Sequence, residues 1–222
     1  MAEKRKHSLV KAFAKAVGGL ILAASMVYGG WFAVNYAGRG EKLTPGETEL
    51  VQEVFGDGIN PSIMRKHFRE EATVSNGVKG SVGMVIPPFS HIDFYGDKTA
   101  SKDFSKDSEY KFGVFMHEAT HVWQGQHCAF PLKEFRVYQY DLTAKSTWSD
   151  YGAEQQADII EDYSKRWLYP ANVHIKHTPK DKQLAHVVET QFPQAKITRL
   201  RLEKTAAPKA ATGKPAGQKN AA

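Results

Sequence analysis

The chain has 222 residues, 41% of them hydrophobic, which predicts one globular domain with additional segments at its ends. The formal net charge is +6, but basic residues are concentrated near the two ends: Lys4, Arg5, Lys6, Lys11, Lys15, Lys204, Lys209, Lys214 and Lys219. The middle of the chain is therefore nearly neutral, which argues against a nucleic-acid partner. The single cysteine, Cys128, excludes an intramolecular disulfide and a zinc site made of four thiolates.

Residues 16–37 form a stretch of 22 residues without a charged side chain. At about 1.5 Å per residue, a helix of this length can cross a hydrocarbon core about 30 Å thick. Because basic residues precede it, we expect a basic cytoplasmic N-terminus at 1–15, a single-pass signal anchor in the bacterial inner membrane and the rest of the chain in the periplasm. A cleaved signal peptide, which would give a secreted protein, and a buried core helix are the alternatives.

The first helix signal of the following domain is a capping box. Thr44 suits the N-cap, Pro45 the first helical position and Glu47 the third, so a helix is expected to about residue 55. The Gly56-Asp57-Gly58 sequence ends it.

Further along the chain, residues 82–86 and 91–95 resemble short strands separated by two prolines. Helices are expected at 109–126 and 152–167, with a strand at 135–142. From residue 203 the chain is rich in Ala, Lys, Pro and Gly, which predicts a disordered tail at 203–222. The folded domain is therefore placed at 43–202.

The sequence His117-Glu118-Ala119-Thr120-His121 carries the strongest chemical signal. Two histidines four residues apart lie on one helix face, one turn apart, so both imidazoles can reach one ion. Glu118 points about 100° away from His117, where it can contact a metal-bound water without being a ligand. This pattern indicates a catalytic Zn²⁺ site with Glu118 as general base, although two surface histidines on a helix are the simpler alternative.

A catalytic zinc needs a third protein ligand, and Glu154, at the start of the second long helix, is the candidate. The alternative is that Glu154 is a solvated carboxylate stabilised by the helix dipole. Asp158, one turn further, could accept a hydrogen bond from the free ring nitrogen of His117 or His121, and Asp162 is its rival for this outer position. An oxyanion-stabilising donor could come from Tyr151, Tyr163 or His174, among which the sequence does not choose. Five further histidines are expected to be surface residues: His91, His127, His174, His177 and His186.

An HExxH helix followed by a helix carrying ExxAD resembles the gluzincin metallopeptidases. That resemblance implies zinc ligation by His117, His121 and Glu154, a general base at Glu118, and a histidine-orienting role for Asp158. The chain is also similar to bacterial Vgr-related proteins with a small HExxH domain, a likeness that extends over about residues 43–168. It rests on four segments: 43–47, 54–57, 116–124 and 151–163.

These observations predict an α+β, zincin-like metallopeptidase domain behind an N-terminal transmembrane helix. The predicted function is zinc-dependent hydrolysis of a protein or peptide substrate by a membrane-anchored endopeptidase. Two alternatives remain: a non-catalytic, zinc-stabilised accessory protein of an envelope or secretion assembly, and a zinc amidase that acts on cell-wall peptides. The sequence gives no oligomeric state.

Overall fold

The computed structural model describes residue 30 and residues 39–73, 79–80, 82–85, 90–127, 137–172 and 178–206. Contacts divide the chain into two units, Met1–Glu41 and Lys42–Ala222. The second unit holds all the elements discussed below. Its described part combines five helices with two small sheets, and its assignment to the zincin-like class stays a prediction.

The helices are α1 (Pro45–Phe55), α2 (Glu109–Gln126), α3 (Ala153–Trp167), α4 (Pro179–Gln191) and α5 (Pro193–Ala206). The strands are β1 (Arg65–Arg69), β2 (Ala72–Thr73), β3 (Lys79–Gly80), β4 (Val82–Val85) and β5 (His91–Tyr95). The order of the larger sheet is β1-β5-β4, with β1 parallel and β4 antiparallel to β5. Strand β4 is thus an edge strand, and it lies beside α2.

The predicted capping box at the start of α1 is confirmed. The backbone N–H of Glu47 donates to Thr44 Oγ1 at 3.2 Å, and the backbone N–H of Thr44 donates to Glu47 Oε2 at 2.8 Å. The other oxygen of Glu47 accepts from Lys66 Nζ at 2.8 Å and from the Phe104 backbone N–H at 2.9 Å. A buried ion pair therefore joins the start of α1 to β1, and each charge in it is hydrogen-bonded, as buried charges require.

Helix α2 lies in the centre of the domain because apolar residues recur along it at helical spacing. The predicted apolar face is buried, with Phe112, Phe115, Ala119 and Val122 each no more than 1% exposed. Phe115 stacks on Phe104 from the preceding turn with ring centroids 5.1 Å apart. Helix α3 packs along the neighbouring side of α2, which is how the two predicted motifs meet.

The strand predicted at 135–142 is wrong where the structure describes it, because residues 137–142 belong to neither sheet. Two of their carbonyls accept hydrogen bonds from side chains instead. Gln155 Nε2 donates to the Gln139 carbonyl at 2.7 Å, and the Tyr151 hydroxyl donates to the Asp141 carbonyl at 2.8 Å. The predicted tail also begins too early, since α5 continues to residue 206. The rest of that tail lies outside the described residues.

The predicted localisation, a single-pass anchor in the bacterial inner membrane with a periplasmic catalytic domain, is wrong. Within the described ranges, none of the helices is both long and apolar enough to cross a bilayer. The longest of these helices, α2, has 18 residues and carries charged side chains at Glu109, Lys111 and Glu118. The stretch at 16–37 that suggested the anchor lies, apart from Gly30, outside the described residues.

Candidate metal centre

Helix α2 presents the two motif histidines side by side. His117 and His121 lie one turn apart, with ring centroids separated by 5.0 Å and ring planes at 78°. Both are largely buried, with side chains 13% and 10% exposed. The apolar side of α2 is packed in the core, so the imidazoles are fixed on the side that faces β4 and α3.

Helix α3 brings Glu154 to the same point. Glu154 Oε2 lies 3.3 Å from His117 Nε2 and 3.2 Å from His121 Nε2. One ligand atom from each of these three residues lies within 4.8 Å of the other two. The residues that the sequence singled out as zinc ligands are therefore gathered in one cluster, although they come from two helices.

Two of the three distances between these donor atoms match those around a tetrahedral zinc ion. Zinc bonds of about 2.0–2.2 Å at tetrahedral angles place neighbouring ligand atoms about 3.3–3.5 Å apart. The two His–Glu distances, 3.3 and 3.2 Å, are close to that edge length. They are longer than the roughly 2.7–2.9 Å of a strong charge-assisted hydrogen bond. Two imidazoles and one carboxylate are a donor set found in catalytic zinc sites.

The outer nitrogen of His117 is held by carboxylates from α3. His117 Nδ1 lies 2.9 Å from Asp158 Oδ1 and 3.4 Å from Glu161 Oε2. An N–H at Nδ1 donating to Asp158 leaves Nε2 with the lone pair that a metal requires. Glu161 also forms an ion pair with Lys165, so its charge is shared between a cation and the imidazole. Glu161 was not recognised in the sequence.

The outer nitrogen of His121 is held by an amide. His121 Nδ1 lies 2.8 Å from Gln124 Oε1, and Gln124 is fully buried. Sequence reasoning missed this partner because it looked for a carboxylate on the second helix. The signal was available, since Gln124 follows His121 by three residues and so shares its helix face.

Burial and neighbouring charges shift the pKa values of His117 and Glu154 in opposite directions. Burial alone would lower the pKa of His117, but hydrogen bonds to Asp158, Glu154 and Glu161 outweigh it and raise that pKa well above the usual value. Burial would raise the pKa of Glu154, and the two histidines instead lower it to about 2. Glu154 is therefore a carboxylate at neutral pH, the form that binds a metal.

Glu118 occupies a different environment from Glu154. Burial raises the pKa of Glu118 even though the charges of His121 and His117 oppose the shift. Among the described residues, none accepts or donates a hydrogen bond at its Oε2. A Cβ atom at Gly83 of β4 would lie 2.5 Å from Glu118 Oε1, so a side chain at position 83 would force the carboxylate to move. Glu118 is thus a buried carboxylate with an uncommitted oxygen beside the cluster.

A cleft of about 610 Å³ opens over the cluster between β4, α2 and α3. Edge strand β4 forms one wall, and the three carboxylates of α3, Glu154, Asp158 and Glu161, form part of the other. Tyr138 also lines this cleft and is 48% exposed. Tyr138 was not among the tyrosines considered in the sequence.

Several predicted residues lie elsewhere. Asp162 accepts from the Tyr140 hydroxyl at 2.5 Å instead of holding a ligating histidine. The Tyr151 hydroxyl is committed to a backbone carbonyl, and that of Tyr163 donates to the Ala195 carbonyl at 3.0 Å. Neither tyrosine lines the cleft. His174 and His177 lie outside the described residues.

The remaining histidines have separate surroundings. His91 Nδ1 lies 2.8 Å from His67 Nε2, and the two rings stack on the sheet. Burial lowers the pKa of both rings, that of His67 to about 4, so the pair is neutral at pH 7. His127 stacks on Trp123 at the end of α2, and His186 lines a separate shallow pocket on α4. None of these four histidines lines the cleft.

No protein-family model matches the chain. Its sequence is 36% identical over 171 residues to the Type VI secretion system spike protein VgrG2b of Pseudomonas aeruginosa, a match that covers 72% of this chain and 16% of that protein. The solved effector domain of P. aeruginosa VgrG2b aligns with a TM-score of 0.44 and 30% identity, over 68% of this chain and 92% of that domain. The chain therefore spans a small part of its curated relative. It is Vgr-related, a homologue of one segment of VgrG2b.

Proposed function

We propose that the chain is a zinc-dependent hydrolase that cleaves peptide bonds. The observation that carries the proposal is the convergence of His117 Nε2 and His121 Nε2 on Glu154 Oε2, at 3.3 and 3.2 Å, beside the buried carboxylate of Glu118. A zinc ion held there would supply Lewis acidity, polarising a substrate carbonyl and making a water at the site more acidic.

The role we assign to Glu118 is general base and then general acid. Its uncommitted Oε2 can accept the proton of the attacking water and return it to the leaving nitrogen of the substrate. A buried carboxylate with a raised pKa suits both steps, because it binds a proton more readily than an exposed glutamate and can still release it.

The shape of the cleft supports an extended peptide as substrate. Edge strand β4 runs along the cleft, and within the described residues it pairs only with β5 on its other side. Its free edge can therefore hydrogen-bond an added strand, a common mode of peptide binding. Met84 and Tyr110, both exposed at the cleft, offer apolar contacts to the side chains of such a peptide.

Metal removal tests this function. The full chain, treated with a chelator and dialysed, should lose cleavage of an unfolded protein such as casein, and one equivalent of Zn²⁺ per chain should restore it, because two histidines and Glu154 provide one site. The measurement pairs elemental analysis with gel-based proteolysis. Purified cell-wall peptides serve as a second substrate, and their cleavage with casein untouched would favour the amidase alternative. Stoichiometric zinc without cleavage of either substrate would contradict the hydrolase.

We further propose that the chain acts with a Type VI secretion system. The homology to a spike protein of such a system favours this part of the function, and it also fits a non-catalytic accessory protein of the secretion assembly. The two versions share the metal site and differ in what Glu118 does. A structural zinc site needs a closed fourth position and has no use for an uncommitted carboxylate beside it.

Export tests the association with secretion. The epitope-tagged chain is expressed in a host with an active Type VI system and in the same host with that system deleted. Because its homologue belongs to the secretion spike, we expect the chain in the culture medium of the intact host only, measured by immunoblot against a cytoplasmic marker. Equal amounts in both media would contradict the association with secretion. The proposed zinc-dependent cleavage would be unaffected by that result, since the metal-removal experiment tests it independently.

A further inference from the structure

A buried pair of side-chain amides connects the candidate metal centre to the loop before α3. Gln124 on α2 and Gln156 on α3 are 0% and 4% exposed, and Gln124 Nε2 donates to Gln156 Oε1 at 2.9 Å. Neither residue lines the cleft, so neither can contact a substrate there. Their hydrogen bonds run from the metal-facing histidine of one helix to the backbone at the start of the other.

The orientation of both amides is dictated by backbone carbonyls, which can only accept hydrogen bonds. One end of the Gln156 amide lies 3.1 Å from the Trp148 carbonyl and 3.2 Å from the Tyr151 carbonyl, so that end must be the NH₂ group. The other end of the Gln156 amide is then the oxygen, which accepts a hydrogen bond from Gln124. The Gln124 NH₂ group also lies 3.2 Å from the Ala153 carbonyl, which fixes the same orientation independently.

The orientation of the Gln124 amide determines which of its atoms faces His121. With its NH₂ group committed to two acceptors, Gln124 must direct its oxygen toward His121 Nδ1, 2.8 Å away. An amide oxygen 2.8 Å from Nδ1 accepts a hydrogen bond from it, so Nδ1 carries a proton. Nε2 faces the Glu154 carboxylate at the longer distance of 3.2 Å, and in the neutral ring Nε2 keeps the lone pair.

We infer that Gln124 and Gln156 are positioning residues that set the tautomer of His121 for zinc ligation. This inference rests on the proposed function, since it assigns the Nε2 lone pair of His121 to the metal. The carbonyls of Trp148, Tyr151 and Ala153 can only accept hydrogen bonds, so they fix which end of each amide is the NH₂ group. The hydrogen bond between the two amides then links the backbone at the start of α3 to His121 on α2. Asp158 has the corresponding role for His117, because its carboxylate accepts directly from Nδ1 of that ring.

Zinc affinity, measured by competition with a chromophoric chelator, tests the inference without relying on catalysis. Gln124→Leu removes the acceptor at Nδ1 and should weaken zinc binding by about 10–100-fold, as loss of an outer-shell partner usually does. Gln124→Glu keeps an oxygen acceptor and should bind zinc more tightly than Gln124→Leu. Gln156→Leu should have a smaller effect than Gln124→Leu, because the Ala153 carbonyl still orients Gln124.

Gln155 provides the matched control. It neighbours Gln156 on α3, is 6% exposed and makes two hydrogen bonds of its own, with the Gly152 N–H and the Gln139 carbonyl, but none to the amide pair. Gln155→Leu should lower the melting temperature of the metal-free protein and leave zinc affinity unchanged. If Gln156→Leu and Gln155→Leu bind zinc equally well, or if Gln124→Leu binds it as tightly as wild type, the inference is overturned.

A measurement on the wild-type chain covers the case in which the Gln124 variants fail to fold. Nitrogen NMR shifts of the His121 ring, in metal-free protein at a pH at which the ring is neutral, should show the proton on Nδ1. A proton on Nε2 would overturn the inference. Absence of zinc binding by wild type would instead refute the proposed function, and the NMR result would still decide whether the amides set the tautomer.

Discussion

Glu118→Gln is expected to reduce peptide cleavage by about 10²–10⁴-fold, the usual contribution of a general base. The substitution preserves the side-chain volume and leaves His117, His121 and Glu154 in place, so zinc content should not change. Glu118 is buried, and no residue in the described part of the chain forms a hydrogen bond at its Oε2, so an uncharged amide of the same size should be tolerated there. The measurement is the rate of casein cleavage at saturating zinc, with melting temperature and metal content recorded on the same samples.

Asp162→Asn is the matched control for this experiment. It removes one carboxylate from α3, but Asp162 bonds the Tyr140 hydroxyl and does not line the cleft. Its cleavage rate should stay close to wild type. A Glu118→Gln variant that holds zinc, cleaves normally and replaces wild type in its host would eliminate the hydrolase proposal and favour the accessory protein.

Glu154→Ala is expected to abolish stoichiometric zinc binding. Removing a ligand leaves only His117 and His121, and the loss should exceed the roughly 10–100-fold typical of an outer-shell partner. The charge balance of the site changes as well, because the Glu154 carboxylate, with a pKa of about 2, offsets the positive charge of the metal. Isothermal titration with zinc and elemental analysis of the purified variant both measure this effect.

Glu161→Ala separates a ligand from a neighbouring carboxylate on the same helix. Glu161 lines the same cleft, but it lies 3.4 Å from the outer nitrogen of His117, on the side away from Glu154, and is paired with Lys165. Its loss should weaken zinc binding far less than the loss of Glu154. If the two variants lost zinc equally, the assignment of the ligand to Glu154 would fail.

The parts of this molecule that sequence could predict are those encoded by local spacing. The capping box at Thr44 and Glu47 and the helical placement of His117 and His121 follow from residues three or four apart. Glu154 could be proposed because zinc needs a third ligand and the start of the second helix offered one. In the structure these three side chains share one cluster.

The parts that sequence missed depend on contacts between distant residues. Strand β1 has the sequence RKHFR, which does not resemble a strand that reaches the core. Its Lys66 and His67 are nevertheless buried, and an ion pair with Glu47 of α1 stabilises the Lys66 charge. Residues 137–142 alternate like a strand but are bonded by side chains of Tyr151 and Gln155. The Gln124–Gln156 pair likewise joins residues 32 positions apart, a relation that no local pattern records.

Gly83 makes the position of the Glu118 carboxylate depend on a residue outside the HExxH motif. Any side chain at that position would meet the carboxylate, since a Cβ there would lie 2.5–2.9 Å from three atoms of Glu118. A relative could therefore retain both histidines and the glutamate of the motif and still have its base displaced by a larger residue on this strand. Under the proposed function, the residue at position 83 would therefore distinguish relatives whose carboxylate keeps this position from relatives in which it is displaced.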